Sequence, residues 1–312
     1  MRVFLPGGAG LVGLNLIALL QSNHPDWELL VVDKKREAVA IAQKLFPGVT
    51  FLLEDLTQTD GQHWPEAIRA CDACVMLQAE IGNIDPSQFE RKNVRSTEVV
   101  LEQLRQASIR RLVHVSSSVV NSVATDLYTE TKRRQEQLVL QQWPDAVVLR
   151  PTLMFGWFDR KHLGWLARFM QKLPLFPIPG SGRFIRQPLY VGDFCTLIQR
   201  CLEDPRLQGT FDITGLEKVS YLSLMRQLRQ SERARTLMIH LPIPLFGVLL
   251  QAWALISRQP AFTRSQLKAL TAGDEFEVID WPGIFSVTPT PLLDALRITY
   301  QDRRFSQVEM PF

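Results

Sequence analysis

Three glycines, Gly7, Gly10 and Gly13, stand between a short apolar run and an apolar helix, and no other stretch narrows the possible folds as far. Arg2-Val3-Phe4-Leu5 reads as a buried strand, Pro6-Gly7-Gly8-Ala9-Gly10 breaks it, and Leu11 to Leu20 reads as a helix. Strand, glycine turn and helix in that order form the setting of a phosphate-binding loop. Gly7 permits the tight turn, Gly10 leaves the backbone open to a pyrophosphate, and Gly13 lets the helix pack closely on the sheet. The helix N-terminus adds free N–H groups and a positive dipole end. A plain glycine turn into a buried helix would use the same residues, so the next strand has to decide. Trp27 to Val32 is that strand, and Asp33 ends it twenty residues after Gly13. An acid there accepts hydrogen bonds from the adenosine ribose of NAD. Lys34, Lys35 and Arg36 follow, and a cation in that place can hold a 2′-phosphate. NAD is therefore the expected cofactor and NADP the alternative; the basic triplet otherwise reads as the solvated first turn of a helix.

The same alternation continues. Helical patterns at Ala38–Phe46, Trp64–Ala70, Pro86–Gln106 and Leu127–Gln141 separate strands at Val49–Leu53, Ala73–Leu77, Arg111–Val115 and Ala146–Leu149. Right-handed crossovers turn such a series into a parallel sheet with helices on both faces, an α/β, doubly wound Rossmann architecture. After Arg150-Pro151 the rhythm breaks into Pro-rich, aromatic and basic segments. Residues 1–155 are thus expected to form the dinucleotide-binding domain, joined by a returning strand and helix near 188–215. Residues 156–312 are expected to form a smaller α/β substrate-binding or lid region. A net charge of +3 argues for neither nucleic acid nor membrane as a partner. The four cysteines, Cys71, Cys74, Cys195 and Cys201, read as buried free thiols rather than a metal site or disulfide framework. With the nucleotide-binding strand starting at residue 2, a signal sequence is not expected and a cytoplasmic location is. The apolar stretch Leu241–Ile256, interrupted by Pro242, Pro244 and Gly247, is too short to span a bilayer. It reads as a core or interface helix, with membrane-surface attachment as the alternative.

Tyr128-Thr129-Glu130-Thr131-Lys132 sets a phenol and an ammonium four residues apart on one helix face. By itself this is a common surface pair. Here the helix follows a strand ending in Ser116-Ser117-Ser118, and strand ends on the ligand side of a parallel sheet face the nucleotide. The serines, Tyr128 and Lys132 are therefore expected to converge there.

Taken in order, these motifs resemble the extended or atypical short-chain dehydrogenases/reductases of the NAD-dependent epimerase/dehydratase family. The likeness runs through Gly7-Gly8-Ala9-Gly10-Leu11-Val12-Gly13, Asp33, Asp55-Leu56, Leu77-Gln78-Ala79, Asn93, the strand into Ser116-Ser117, Tyr128 with Lys132 and Glu136, and Leu149-Arg150-Pro151. The resemblance implies catalytic Ser117 (Ser118 as the other register), Tyr128 and Lys132. It implies cofactor contacts from Gly7, Gly10, Leu11, Val12, Gly13, Asp33, Lys34, Asp55, Leu56, Leu77, Gln78, Ala79, Asn93, Ser116, Tyr128, Lys132, Arg150 and Pro151, and no metal. In that setting Asp55-Leu56 contacts the adenine, Arg150 and Pro151 flank the nicotinamide, and Lys132 binds the ribose and activates Tyr128. The implied function is NAD(P)-dependent oxidoreduction or epimerisation of a nucleotide sugar or related hydroxyl-bearing metabolite, homo-oligomerisation being open. The chain departs from the family at Asn121-Ser122, where Tyr-Gly is usual, and in the ten residues between Ser117 and Tyr128. Those departures bring it nearer atypical members similar to the nucleotide-binding accessory subunit of respiratory complex I. The alternative function is accordingly a catalytically silent dinucleotide-binding sensor or assembly protein.

Overall fold

Successive residues of each central strand are buried in two different hydrophobic cores, which is the signature of a sheet covered on both faces. The computed structural model describes residues 1–81, 85–123, 126–256, 267, 270–271 and 276–311, with the backbone alone for 252–256. Among them, β1 (Arg2–Pro6), β2 (Glu28–Asp33), β3 (Thr50–Leu53), β4 (Ala73–Met76), β5 (Arg111–Val115), β6 (Val147–Pro151) and β7 (Gly209–Ile213) form one sheet in the order β7-β6-β5-β4-β1-β2-β3. Every neighbouring pair is parallel. Val3, Leu5, Val31, Val75 and Val113 face a core shared with α1 (Leu11–Asn23), α2 (Arg36–Leu45) and the helix Val191–Glu203. Phe4, Leu30, Val32, Cys74, Met76 and Leu112 face the other, shared with α3 (Ser96–Gln106) and α4 (Leu127–Gln142). All four thiols are free and buried, and no group of metal-ligating side chains occurs among the described residues.

The direction of winding reverses between β1 and β4, which opens a crevice at their C-terminal ends. The predicted helix 86–106 is continuous, but Glu90–Arg95 widens into a π-helical stretch between Pro86–Phe89 and α3. A third core gathers Phe155, Met170, Phe176, Tyr221, Leu228 and Leu296 from the C-terminal half. Short strand pairs surround it, including Leu175–Pro179 parallel to Leu237–Leu241. Trp281 and Phe285, far along the chain, return to the first core.

Of the readings expected for Leu241–Ile256, a core or interface helix or a membrane-surface one, the fold excludes a helix packed in the core. Leu241 closes a strand, and Pro244 lies in the first turn of the helix Ile243–Ile256, where a missing N–H costs nothing. Ile243, Leu245, Val248 and Leu249 are 43%, 46%, 56% and 51% exposed, so this face is not packed in a core. The Trp253 side chain lies outside the described residues.

Candidate functional site

The glycine loop has the geometry its residues allow. Gly7 takes φ +76°, and a Cβ there would stand 2.5 Å from the Gln78 Cα at the end of β4. Gly13 differs in detail from expectation: its missing Cβ admits the backbone of Gly8, whose carbonyl oxygen would be only 2.2 Å away, so the helix packs on the loop itself. Gly10 is the open one, since a Cβ there would meet only the Gly7 carbonyl at 3.8 Å. Gly10 caps α1 without a side-chain bond, and α1 has no acid in its first turn, which leaves its N–H groups and dipole uncompensated. Leu11 and Val12 form that first turn, half-buried against the core.

Asp33 steadies the loop as well as facing the crevice. Its carboxylate accepts from the Ala9 N–H at 3.2 Å and the Lys35 N–H at 3.1 Å. Lys34 reaches Asp55 at 3.7 Å, and Arg91 donates to the same oxygen at 2.7 Å. Burial raises the Asp55 pKa, but two bonds from Thr57 and the two cations carry it below the usual carboxylate range. Leu56 is buried in the second core. At the end of β4, Leu77 is half-buried, Ala79 is exposed, and the Gln78 side-chain amide is buried with neither its nitrogen nor its oxygen partnered among the described residues. A buried amide without partners costs free energy unless something binds it.

At the end of β5, Ser117 caps a 3-10 turn, accepting from the Val119 N–H at 3.4 Å, and is hydrogen-bonded to the Tyr128 hydroxyl. Tyr128 lies in the first turn of α4, which Asp126 caps through the Thr129 N–H at 3.1 Å. Ser118 belongs to the 3-10 turn. Burial pushes the Tyr128 phenol above its ordinary range, and the Ser117 bond offsets only part of that. Lys132 does not produce the expected lowering. It is 1% exposed, and its Nζ donates to the Val115 carbonyl at 3.1 Å and to Gln135 Oε1 at 2.6 Å. Gln135 in turn donates to Thr97 at 2.9 Å and to the Gln78 carbonyl at 3.3 Å. This residue escaped the sequence reading; its spacing of three from Lys132 on the same helix face was the available signal. His114, beneath Lys132, is fully buried with both ring nitrogens unpartnered, and burial and the lysine charge hold it neutral.

Three residues expected at the cofactor make bonds inside the fold. Asn93 is fully buried, accepts from the Glu80 N–H at 2.7 Å and donates to Thr131 at 3.0 Å, so it ties the β4 loop to α4 and offers no free surface. Ser116 donates to Glu136 at 2.5 Å. Arg150 pairs with the same carboxylate at 2.5 Å and reaches Asn121 at 3.2 Å, fastening the ends of β5 and β6 to α4. Pro151 is buried in register with Ile213. Beyond Gly156, Lys161 donates to the Ile81 carbonyl at 3.3 Å and so joins the C-terminal half to the β4 loop.

Lys132 supplies a stability test. Burial pushes its pKa to about 7, with Glu136 opposing, against an ordinary value of 10.5. Above about pH 7 the unfolded chain holds the extra proton, so the lysine's contribution to stability rises with pH there. Between about pH 7 and 8.5 the lysine contributes a gain of about 1.5–2 kcal/mol, and the four cysteines, whose thiols burial holds protonated in the fold, remove a similar amount as they ionise in the unfolded chain. Urea unfolding at the two pH values should therefore show a nearly level stability in the wild type and a fall of about 1.5–2 kcal/mol in Lys132→Met, the difference being the lysine's share.

Comparison with known proteins adds a family and several relatives. The profile of the NAD dependent epimerase/dehydratase family matches residues 3–213. Mouse (Mus musculus) NADH dehydrogenase [ubiquinone] 1 alpha subcomplex subunit 9, mitochondrial, is 24% identical over 264 residues, which cover 82% of this chain and 68% of that one. The 4-hydroxy-2-methyl-3-oxo-4-farnesyl-3,4-dihydroquinoline-1-oxide ketoreductase of Stigmatella aurantiaca is 30% identical over 215 residues, 62% of each chain. In fold, UDP-glucuronic acid 4-epimerase from Bacillus cereus superposes with a TM-score of 0.71 at 20% identity, covering 96% of both chains.

Proposed function

The chain belongs to the NAD-dependent epimerase/dehydratase family, and from that premise we propose that it transfers hydride at a carbinol or carbonyl carbon of a small molecule. The observation carrying this reading is the Ser117–Tyr128 hydroxyl pair at the end of β5, set beside the crevice that the glycine loop and Gln78 line. NAD supplies the hydride or accepts it. Gly7, Gly10, Leu11, Val12 and Gly13 would hold its pyrophosphate, Asp33 a ribose, Asp55 and Leu56 the adenine side, and the unpartnered Gln78 amide a polar group deeper in the crevice. Ser117 polarises the substrate oxygen and Tyr128 moves its proton. Burial holds the Tyr128 phenol protonated near neutrality, the form that donates its proton to a substrate oxygen.

The family's nucleotide sugars are one substrate class. A second observation favours a substrate with an apolar portion. Ile81, Leu127, Leu153 and Leu216 follow the ends of β4, β5, β6 and β7 and remain 51%, 39%, 41% and 36% exposed. A ketoreductase named for a farnesylated ring is among the relatives. Reduction of apolar-tailed ketones should be followed as NADH oxidation. Nucleotide sugars should be screened in parallel by mass and chromatographic analysis of product, since their epimerisation or dehydration returns the hydride and consumes no net NADH. Faster turnover of the ketones is expected, and turnover confined to nucleotide sugars would reverse the preference. The silent sensor or assembly reading is favoured by one feature, the bond that turns Lys132 toward Gln135. Tight NADH binding with no product formed from either class would establish it.

A further inference from the structure

The exposed apolar helix Ile243–Ile256 has no place in the reaction above, and its surroundings indicate what covers it. Leu245, Val248 and Leu249 lie at helical spacings of three and four, on one face. The strand that feeds the helix, Leu237–Leu241, begins at Leu237, which is 63% exposed. Its register partner Leu175 is 47% exposed, and Leu173, two residues earlier, is 41% exposed. Leu237 also lines a cavity of about 640 Å³ whose other walls include Arg226, Arg229, Arg233 and Arg235. Arg226, Arg229 and Arg233 are placed on one side of the preceding helix and its end by their three- and four-residue spacing.

These arginines make no ion pair with a carboxylate among the described residues; Arg229 donates to the Thr236 carbonyl at 3.4 Å. Between residues 226 and 251 the chain has four arginines and one acid, Glu232. That acid is half-buried and accepts from Gln171 instead. Unneutralised guanidinium groups suit phosphate oxygens. The leucines beside them, and the helix that continues the same strand, suit acyl chains. A protein partner would need to meet both a cluster of like charges and a run of aliphatic side chains, whereas an anionic phospholipid carries both complements in one molecule.

We propose that this basic and apolar surface docks the protein on an anionic bilayer, with the helix Ile243–Ile256 lying in the interface. Fourteen residues extend about 21 Å, short of the roughly 30 Å hydrocarbon core, so the helix rests on the membrane rather than crossing it. Such attachment depends jointly on apolar burial and on attraction to anionic head groups, and the second part is screened by salt.

Co-sedimentation of the full chain with vesicles tests this. Binding is expected to vesicles of phosphatidylcholine and phosphatidylglycerol in equal parts, and to be at least about tenfold weaker to phosphatidylcholine alone. The double variant Val248→Asp/Leu249→Asp should abolish it. Arg233→Glu/Arg235→Glu should lower it by about tenfold or more and remove most of its salt dependence. Both pairs are exposed, and unchanged NADH affinity in each variant would show that the fold survives. No binding to the mixed vesicles overturns the proposal, as does binding that neither double variant weakens. A salt-insensitive dimer dispersed by the aspartates, with no vesicle binding, would assign the surface to a second copy of the chain instead.

Discussion

Replacing Tyr128 by Phe should lower NADH-dependent turnover by roughly 10²–10⁴, the usual contribution of a positioned proton donor, while leaving NADH affinity unchanged. The substitution removes one oxygen from a ring that stays packed in the first turn of α4. Its structural cost is the Ser117 hydrogen bond, worth about 1 kcal/mol, so the protein remains folded at the temperature of assay. Ser117→Ala should lose less, because the phenol still holds its proton. Both effects should appear in kcat rather than in KM, since the hydroxyl pair acts where charge develops on the substrate oxygen. An unaltered kcat in Tyr128→Phe, measured on the best substrate found, would remove Tyr128 from the chemistry.

The second large effect distinguishes two glycines of the same motif. In Gly13→Ala the new methyl would lie 2.2 Å from the Gly8 carbonyl oxygen, and both neighbours are backbone. The loop or α1 must shift, at a cost of about 1–3 kcal/mol in stability, and NADH affinity should fall with it. Gly10 has φ −97°, acceptable to any residue, and nothing nearer than 3.8 Å to its missing Cβ. Gly10→Ala should therefore unfold within about 0.5 kcal/mol of the wild type. It should still bind NADH roughly tenfold or more weakly, a loss of about 1.4 kcal/mol, because its methyl occupies the approach to the loop. Urea unfolding and NADH titration of the two variants would separate packing from binding. Equal affinity in Gly10→Ala and the wild type would place the pyrophosphate elsewhere.

The doubly wound parallel sheet was legible in the sequence because its strands are short, almost wholly apolar and separated by helices of regular length. The positions of the glycine turn, Asp33, Ser117 and Tyr128 followed from that order, since each ends or follows a strand. What depended on contacts between distant residues was not legible. Nothing local marks Asn93 as the tie between Glu80 and Thr131, or Arg150 as the partner of Glu136. Lys132 illustrates the limit best: its spacing from Tyr128 was plain, but its direction is set by Gln135 and the Val115 carbonyl. The helix Ile243–Ile256 shows the same limit for burial. An apolar composition looks alike whether the face meets a core or lies exposed, and only the fold distinguishes them.

The crevice between β1 and β4 is the proposed NAD site, with Asp33 reading the ribose. Calorimetric titration of the wild-type chain and of Asp33→Ala with NADH and with NADPH tests it. The wild type is predicted to bind NADH more tightly than NADPH, and Asp33→Ala to weaken NADH by about 1–3 kcal/mol through loss of charge-assisted hydrogen bonds to the ribose. Tighter binding of NADPH, abolished by neutralising Lys34 or Lys35, or no binding of either nucleotide, would contradict it.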